Sequence, residues 1–286
     1  MGISDSNLQK KGCTIEIVHR YNNAMDENNN LKNIFQSMWP IAVSMAAAAI
    51  TVAFLRSTPP GFFGKIDNIG SSVCHQIPSH AFRNESFQMP LCARCTGLYT
   101  GALIGLLLTR RSEKHHAFPK GFTLWFLVAL FLLWAGDSLN SFISAFINRP
   151  FLYETTNLTR ILSGLGMGLV MAVALRTLLA ATVWKDGQSL PVLGSPRLLL
   201  AYFLCAAIAA GLLWTQETLV LKIFSIASIF SVVLVITTLY TVFWVLLFKR
   251  DNTFTNWKSL AKFGMLGYAT AAAQIVLLAD FRNLII

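Results

Sequence analysis

The chain has 286 residues, of which 55% are hydrophobic and 13% are charged, and its formal net charge is +10. The charged share is about half of the roughly 25% usual in soluble domains, and the apolar residues form runs that approach the roughly 20 residues of a spanning helix. These features exclude an ordinary soluble domain. The positive charge does not indicate nucleic-acid binding, because the basic residues form short clusters between the apolar runs.

The first 36 residues are polar and rich in asparagine, and they predict a disordered tail. Residues 37–286 predict an all-α fold, a polytopic bundle of about seven transmembrane helices. Residues 56–90 are expected to form a loop between the first two spans. The predicted spans are residues 37–55, 91–109, 121–137, 159–182, 197–215, 219–247 and 259–280.

The distribution of basic residues predicts the orientation of this bundle. With seven spans, fifteen Lys and Arg residues fall on the side of the N-terminus and eight on the opposite side. An excess of Lys and Arg marks the cytoplasmic side of a membrane. We therefore expect the N-terminus and its tail inside and loop 56–90 outside, in a multi-pass protein of the bacterial inner or plasma membrane.

Loop 56–90 carries a Cys-His pair at residues 74–75, and a Cys-x-x-Cys motif follows at residues 92–95. The motif lies at a predicted helix start, where its two thiols share a face and the helix N-terminus favours thiolate. Zinc takes Cys and His, usually four ligands. We therefore predict a zinc-like site, although adjacent residues ligate one ion less easily than a spaced pair. The predicted ligands are Cys74, His75, Cys92 and Cys95, with His80, Asp137 or water as completing groups.

Two alternatives to a metal stay open for these cysteines. Extracytoplasmic cysteines often oxidise, so Cys92 could pair with Cys95, or Cys74 with one of them. Thiol redox chemistry at Cys-x-x-Cys is the second alternative, but that motif usually belongs to a thioredoxin-like βαβ context. Such a context is absent from the predicted helical pattern.

Glycine spacing predicts contact between spans two and four. Gly97, Gly101 and Gly105 recur every four residues on span two, and Gly164 and Gly168 repeat the spacing on span four. Rows of small residues let helix backbones approach closely in lipid. The polar ends of these two spans should then lie close together.

Two ionisable residues are predicted on the same membrane face as the cysteines. Asp137 lies at the predicted end of span three, and Arg160 lies near the start of span four. Ionisable residues near membrane depth are costly and are functional candidates by default. We predict a catalytic pair in which Asp137 is a general base and Arg160 holds an anionic group. A purely structural Asp137–Arg160 ion pair is the alternative, and Asn157 is expected to cap span four.

The blocks "CHQIPSHAF" and "PLCARCTGLYTG" resemble the signature of a family of uncharacterised prokaryotic integral membrane proteins, classed as a domain of unknown function. The resemblance covers roughly residues 70–175. It implies that the same residues matter in this chain, but it brings no established activity. The matching positions are Cys74, His75, Gln76, Pro78, Cys92, Ala93, Arg94, Cys95, Thr96, Gly97, Tyr99 and Gly101, followed by Asp137, Asn157, Arg160 and Gly164.

Two classes of function fit these observations. A metal-dependent hydrolase or transferase would use three protein ligands and a metal-bound water, and it would act on a lipid-type substrate. A non-enzymatic scaffold, assembly factor or transporter subunit would instead use a closed structural zinc site or a disulfide. The predicted partners are the lipid bilayer and, for the enzyme, the lipid-type substrate. Whether the protein is an enzyme stays open at this point, as does its oligomeric state.

Overall fold

The computed structural model describes residues 38–39, 41–56 and 58–285. The predicted polar tail, residues 1–36, lies outside these described residues. The chain divides into two units, one that extends to Ala46 and one that covers Ala47–Ile286. The first helix crosses this division, and the architecture below concerns the second unit.

The described residues confirm the all-α fold, because nearly every element is a helix. The helices are α1 (Ile41–Arg56), α2 (Phe62–Ser71), α3 (Ala93–Leu108), α4 (Phe122–Ile147), α5 (Asn157–Val183), α6 (Pro196–Trp214), α7 (Thr218–Leu247) and α8 (Trp257–Ile285). Short 3-10 turns occupy Pro78–His80 and Thr109–Ser112, and strands β1 (His115–Ala117) and β2 (Gln188–Pro191) form one small parallel pair.

Seven of these helices coincide with the seven predicted spans. Within the described residues, α4, α5, α6, α7 and α8 are long and apolar enough to cross a membrane, whereas α1 is a shorter apolar helix. Helix α3 has 16 residues, a rise of about 24 Å, which is less than the roughly 30 Å hydrocarbon thickness. The seven-span count and the orientation therefore stay predictions.

Helices α3 and α5 form the centre of the bundle, as the glycine rows predicted. A Cβ added to Gly97 would lie 2.5 Å from the Ile161 carbonyl oxygen, and one added to Gly168 would lie 2.5 Å from the Leu98 carbonyl oxygen. A Cβ on Gly164 would meet the Arg94 carbonyl oxygen at still closer range. Only glycine permits this backbone-to-backbone packing, which fixes the start of α3 beside the start of α5.

The remaining helices surround this pair. Helix α6 contributes Tyr202, whose hydroxyl donates to the Leu165 carbonyl oxygen at 2.6 Å. Helices α7 and α8 pack closely at Gly267, where an added Cβ would lie 2.7 Å from the Thr237 carbonyl oxygen. Helix α4 contacts α5 and leaves most of its apolar surface exposed, including Phe146, as expected of a lipid-facing helix.

The loops collect at two opposite ends of the bundle. At one end β1 pairs with β2, and Lys114 forms an ion pair with Asp186. At the other end the Asn84 amide donates to the Gln216 carbonyl oxygen at 2.8 Å, so loop 72–92 contacts the connection between α6 and α7. We call this second end the cysteine face, because the cysteine motif lies there.

One predicted boundary is wrong and it changes the position of Asp137. Span three was expected to end at residue 137, but α4 continues to Ile147, where Asn148 adopts a left-handed conformation with φ 52°. Asp137 therefore lies inside the helix, about 15 Å of helical rise from its end. The helix continues because residues 138–147 contain neither glycine nor proline.

Candidate metal centre

The chain folds back between α2 and α3 and brings Cys74 beside the start of α3. The Cys74 N–H donates to the Gly70 carbonyl oxygen at 2.9 Å, which ends α2 with a tight turn. Gln76 then adopts a left-handed conformation with φ 54°, and its amide donates to the Asp67 carboxylate at 3.0 Å and to the Pro90 carbonyl oxygen at 2.9 Å. Gln76 thus ties α2 to the segment that enters α3.

Cys74, Cys92 and Cys95 form a compact group of three free thiols whose sulfur atoms lie within 4.8 Å of one another. Cys74 and Cys92 are buried, and Cys95 is partly exposed. Three thiolates around one zinc ion, each at about 2.3 Å in a tetrahedral arrangement, would have sulfur atoms about 3.8 Å apart. The observed group has the compactness that such a site needs.

Backbone geometry also suits a thiolate at Cys74. The Cys92 N–H donates to the Cys74 sulfur at 3.2 Å, and Cys92 is the residue that precedes the first turn of α3. Hydrogen bonds from the Cys92 and Cys95 thiols, aided by His75, hold the pKa of the Cys74 thiol below its usual range despite burial. Helix N-termini favour thiolate, the form that binds metals.

The two histidines of the loop lie at the edge of this group rather than inside it. His75 is exposed, and among the described residues its ring nitrogens are not part of the 4.8 Å cluster. Its ring centroid lies 5.9 Å from that of His80. Burial, together with the charge of Arg160, lowers the pKa of His80 to about 4, so this imidazole is neutral at pH 7. The structure therefore brings together three of the four predicted ligands.

Arg282 of α8 fixes the loop from the other side, a role that the sequence did not suggest. Its guanidinium donates to the Cys74 carbonyl oxygen at 2.5 Å and to the His75 carbonyl oxygen at 3.0 Å. A surface hollow beside this contact is lined by Ser71, Val73, Cys74, His75 and Arg282. The hollow gives solvent a route to the edge of the thiol group.

Asp137 forms an ion pair with Arg94 and not with Arg160. The alternative prediction of an Asp137–Arg160 ion pair is therefore wrong. The Arg94 Nε and Nη2 atoms donate to Asp137 Oδ2 at 3.0 and 2.5 Å. Tyr153 and Ser163 donate to the same carboxylate at 2.7 and 3.1 Å. Arg94 stands between Cys92 and Cys95 in the sequence, so this polar cluster and the cysteine motif share the start of α3.

Arg160 lies nearby with different partners. Its guanidinium donates to the Thr155 hydroxyl at 2.8 Å and to the Asn157 side-chain oxygen at 3.2 Å, and its Nε has no partner among the described residues. The prediction that Asn157 caps this helix is wrong, because Thr156 caps α5 through a capping box with Thr159. The Asn157 amide instead donates to the Ala81 carbonyl oxygen at 3.3 Å, which links α5 to the loop.

Comparisons with known proteins concentrate on this same region. A family model described as "Predicted membrane protein (DUF2085)" matches residues 74–174, which include the thiol group and the Arg94–Asp137 pair. No solved structure matches the chain.

Two relatives are archaeal proteins. The uncharacterized protein MJ1492 of Methanocaldococcus jannaschii is 28% identical over 115 residues, which are 40% of this chain and 69% of the relative. An uncharacterized protein of Methanothermobacter thermautotrophicus is 31% identical over 109 residues, which are 37% of this chain and 86% of the relative. Because this second relative is matched over most of its length, the expected family is confirmed, and the chain belongs to the DUF2085 family of predicted membrane proteins.

Proposed function

We propose that this membrane protein binds one zinc-like ion through Cys74, Cys92 and Cys95 and that the ion fastens loop 72–92 to the start of α3. The observation that carries the proposal is the group of three sulfur atoms within 4.8 Å of one another. We place the cysteine face outside the cell membrane in this proposal, because the predicted excess of basic residues on the opposite side favours that orientation.

A metal explains the group better than a disulfide does. A disulfide would use two of the three thiols and leave the third beside it without a partner. A bound cation stabilises all three as thiolates at once, and the Cys92 N–H already donates to the Cys74 sulfur. Exposed His75 is our proposed fourth ligand, since it follows Cys74 in the sequence and its side chain hydrogen-bonds with the Cys74 thiol.

The state of Asp137 favours a binding or structural role over catalysis. A general base needs a free lone pair directed at its substrate. Both oxygens of this carboxylate already accept hydrogen bonds, from Arg94, Tyr153 and Ser163. The protein is then a membrane scaffold, assembly factor or transporter subunit with a closed metal site.

A metal-dependent hydrolase or transferase acting on a lipid-type substrate is the second candidate, and one observation favours it. The cluster offers three thiols, which leaves a fourth position for water, and the hollow beside Cys74 and His75 gives access to it. Arg160, whose Nε has no partner among the described residues, would hold an anionic head group.

Metal analysis of the purified protein tests the proposal. We expect about one zinc-like ion per chain, loss of the ion in Cys92→Ser, and full retention in Cys205→Ser, because Cys205 is an exposed free thiol on α6. Absence of metal together with a Cys92–Cys95 disulfide in freshly isolated membranes contradicts the proposal.

X-ray absorption at the bound metal separates the two candidate functions. A shell of three sulfur atoms and one nitrogen, with the nitrogen lost in His75→Ala, identifies a closed site. Three sulfur atoms and one exchangeable oxygen, unchanged in His75→Ala, favour the enzyme.

A further inference from the structure

A second cavity lies at the opposite end of the bundle from the thiols. It has a volume of about 270 Å³ and is enclosed by α3, α5, α7 and α8. This volume is just below the range of roughly 300–1,000 Å³ typical of small-molecule pockets. Most of the lining is hydrocarbon, including Leu106, Leu175, Leu234 and Leu260.

One charged side chain interrupts this apolar lining. Arg176 of α5 is 9% exposed, and its Nη2 donates to the Leu106 carbonyl oxygen at 2.8 Å. Its Nε has no hydrogen-bond partner, and no carboxylate of the described residues forms an ion pair with it. Glu113, whose charge acts on Arg176, accepts a hydrogen bond from Trp257 Nε1 at 3.0 Å instead.

A nearby anion would stabilise a buried cation of this kind. Ionisable side chains within membrane proteins almost always pair with another group, and an unpaired donor in a low-dielectric site is costly. The Thr237 hydroxyl, also on the cavity wall, is a second buried group without a partner. Two unsatisfied polar groups therefore line one apolar cavity.

We propose that this cavity binds an amphiphile with one hydrocarbon chain in it and an anionic carboxylate or phosphate head. The head pairs with the charge of the Arg176 guanidinium, a residue of the cavity lining, and lies near Thr237 in the same lining. The chain packs against the leucines of the lining. This site is separate from the thiol group, and the proposal does not depend on the metal.

Fluorescence quenching of Trp257, which lines the cavity, reports occupancy directly. The probes are a fatty acid that carries bromine on its chain and, in nanodiscs, an anionic phospholipid with brominated chains. The matched neutral probe is the brominated alcohol of the same chain length. Subtracting the signal of Trp257→Phe isolates the one indole from the other tryptophans.

We expect saturable quenching by at least one anionic probe and binding at least about tenfold weaker for the alcohol, because the head group supplies the charge-assisted hydrogen bonds. Arg176→Gln should weaken binding of the anionic probe by a similar factor. Arg197→Gln, which removes an exposed arginine at the start of α6, should leave binding unchanged.

Gly264→Leu provides a test that keeps Arg176 in place. Gly264 lines the cavity and a Cβ there meets nothing within 4 Å, so a leucine has no clash at its base, and by occupying the cavity it should abolish saturable quenching. Equal affinities for acid and alcohol, unchanged binding in Gly264→Leu, or displacement of the probe by inorganic phosphate at equal potency would overturn the proposal. If Arg176→Gln does not fold, the alcohol comparison and Gly264→Leu still decide.

Discussion

Replacing Asp137 by Asn should destabilise the protein by leaving Arg94 charged and without its carboxylate. The side chains of Asp137 and Arg94 are 5% and 16% exposed, and two N–H groups of the guanidinium point at one carboxylate oxygen. Removing one partner of a buried ion pair costs about 3–5 kcal/mol. The partial exposure of Arg94 places the expected loss near the lower end, at about 3 kcal/mol.

A double-mutant cycle measures this pair directly. Adding Arg94→Gln to Asp137→Asn removes the unpaired charge of Arg94. The double variant should recover most of the lost free energy of unfolding, with a coupling energy of about 2–3 kcal/mol. The free energy of unfolding is measured by circular dichroism during denaturation in mixed detergent micelles. The Asn side-chain oxygen still accepts from one of the Tyr153 and Ser163 hydroxyls, and the other hydroxyl can turn to accept from Asn Nδ2–H, so the two contribute little to the difference.

Arg160→Gln is the matched control for the cycle. Arg160 donates to Thr155 and Asn157 rather than to Asp137, so its coupling to Asp137→Asn should be small, below about 0.5 kcal/mol. A coupling to Arg160 as large as that to Arg94 would refute the assignment of partners.

Two further predictions concern the bundle. Gly164→Ala should lower the free energy of unfolding by at least about 1–3 kcal/mol, because its Cβ meets the backbone of α3, whereas Gly136→Ala, with open space around its Cβ, should be neutral or slightly stabilising in the same denaturation assay. A compartment-specific reporter fused after Arg250 should read cytoplasmic and one fused after Ile286 extracytoplasmic; the same compartment for both contradicts the seven-span orientation.

The sequence predicted the helices well because each apolar run is long and is bounded by polar residues. The end of α4 was missed because a charged residue, Asp137, was taken as the membrane boundary. The true stop signal was Asn148, which adopts the left-handed conformation, followed by Pro150 two residues later. The contact between α3 and α5 was predictable, since a four-residue glycine row has few other uses in lipid.

Within the candidate site, local sequence spacing predicted the cysteines, but it did not predict the contacts between distant parts of the chain. Cys92 and Cys95 follow from a motif at a helix start, and Cys74 follows from its position in the preceding loop. No pattern indicates that Arg282, on the last helix, donates to the loop carbonyl oxygens. Nor does spacing decide which arginine neutralises Asp137, because that depends on how α3 and α4 are rotated.

The contact of Arg282 with the Cys74 loop has a consequence for the order of biogenesis. The three cysteines lie within residues 74–95, whereas Arg282 is 190 residues beyond Cys92. At about 5–20 residues per second, a ribosome needs about 10–40 s to make the intervening chain. The thiols therefore emerge long before α8 inserts, so an ion bound at the proposed site would be captured first, and the contact of Arg282 with the loop would form afterwards.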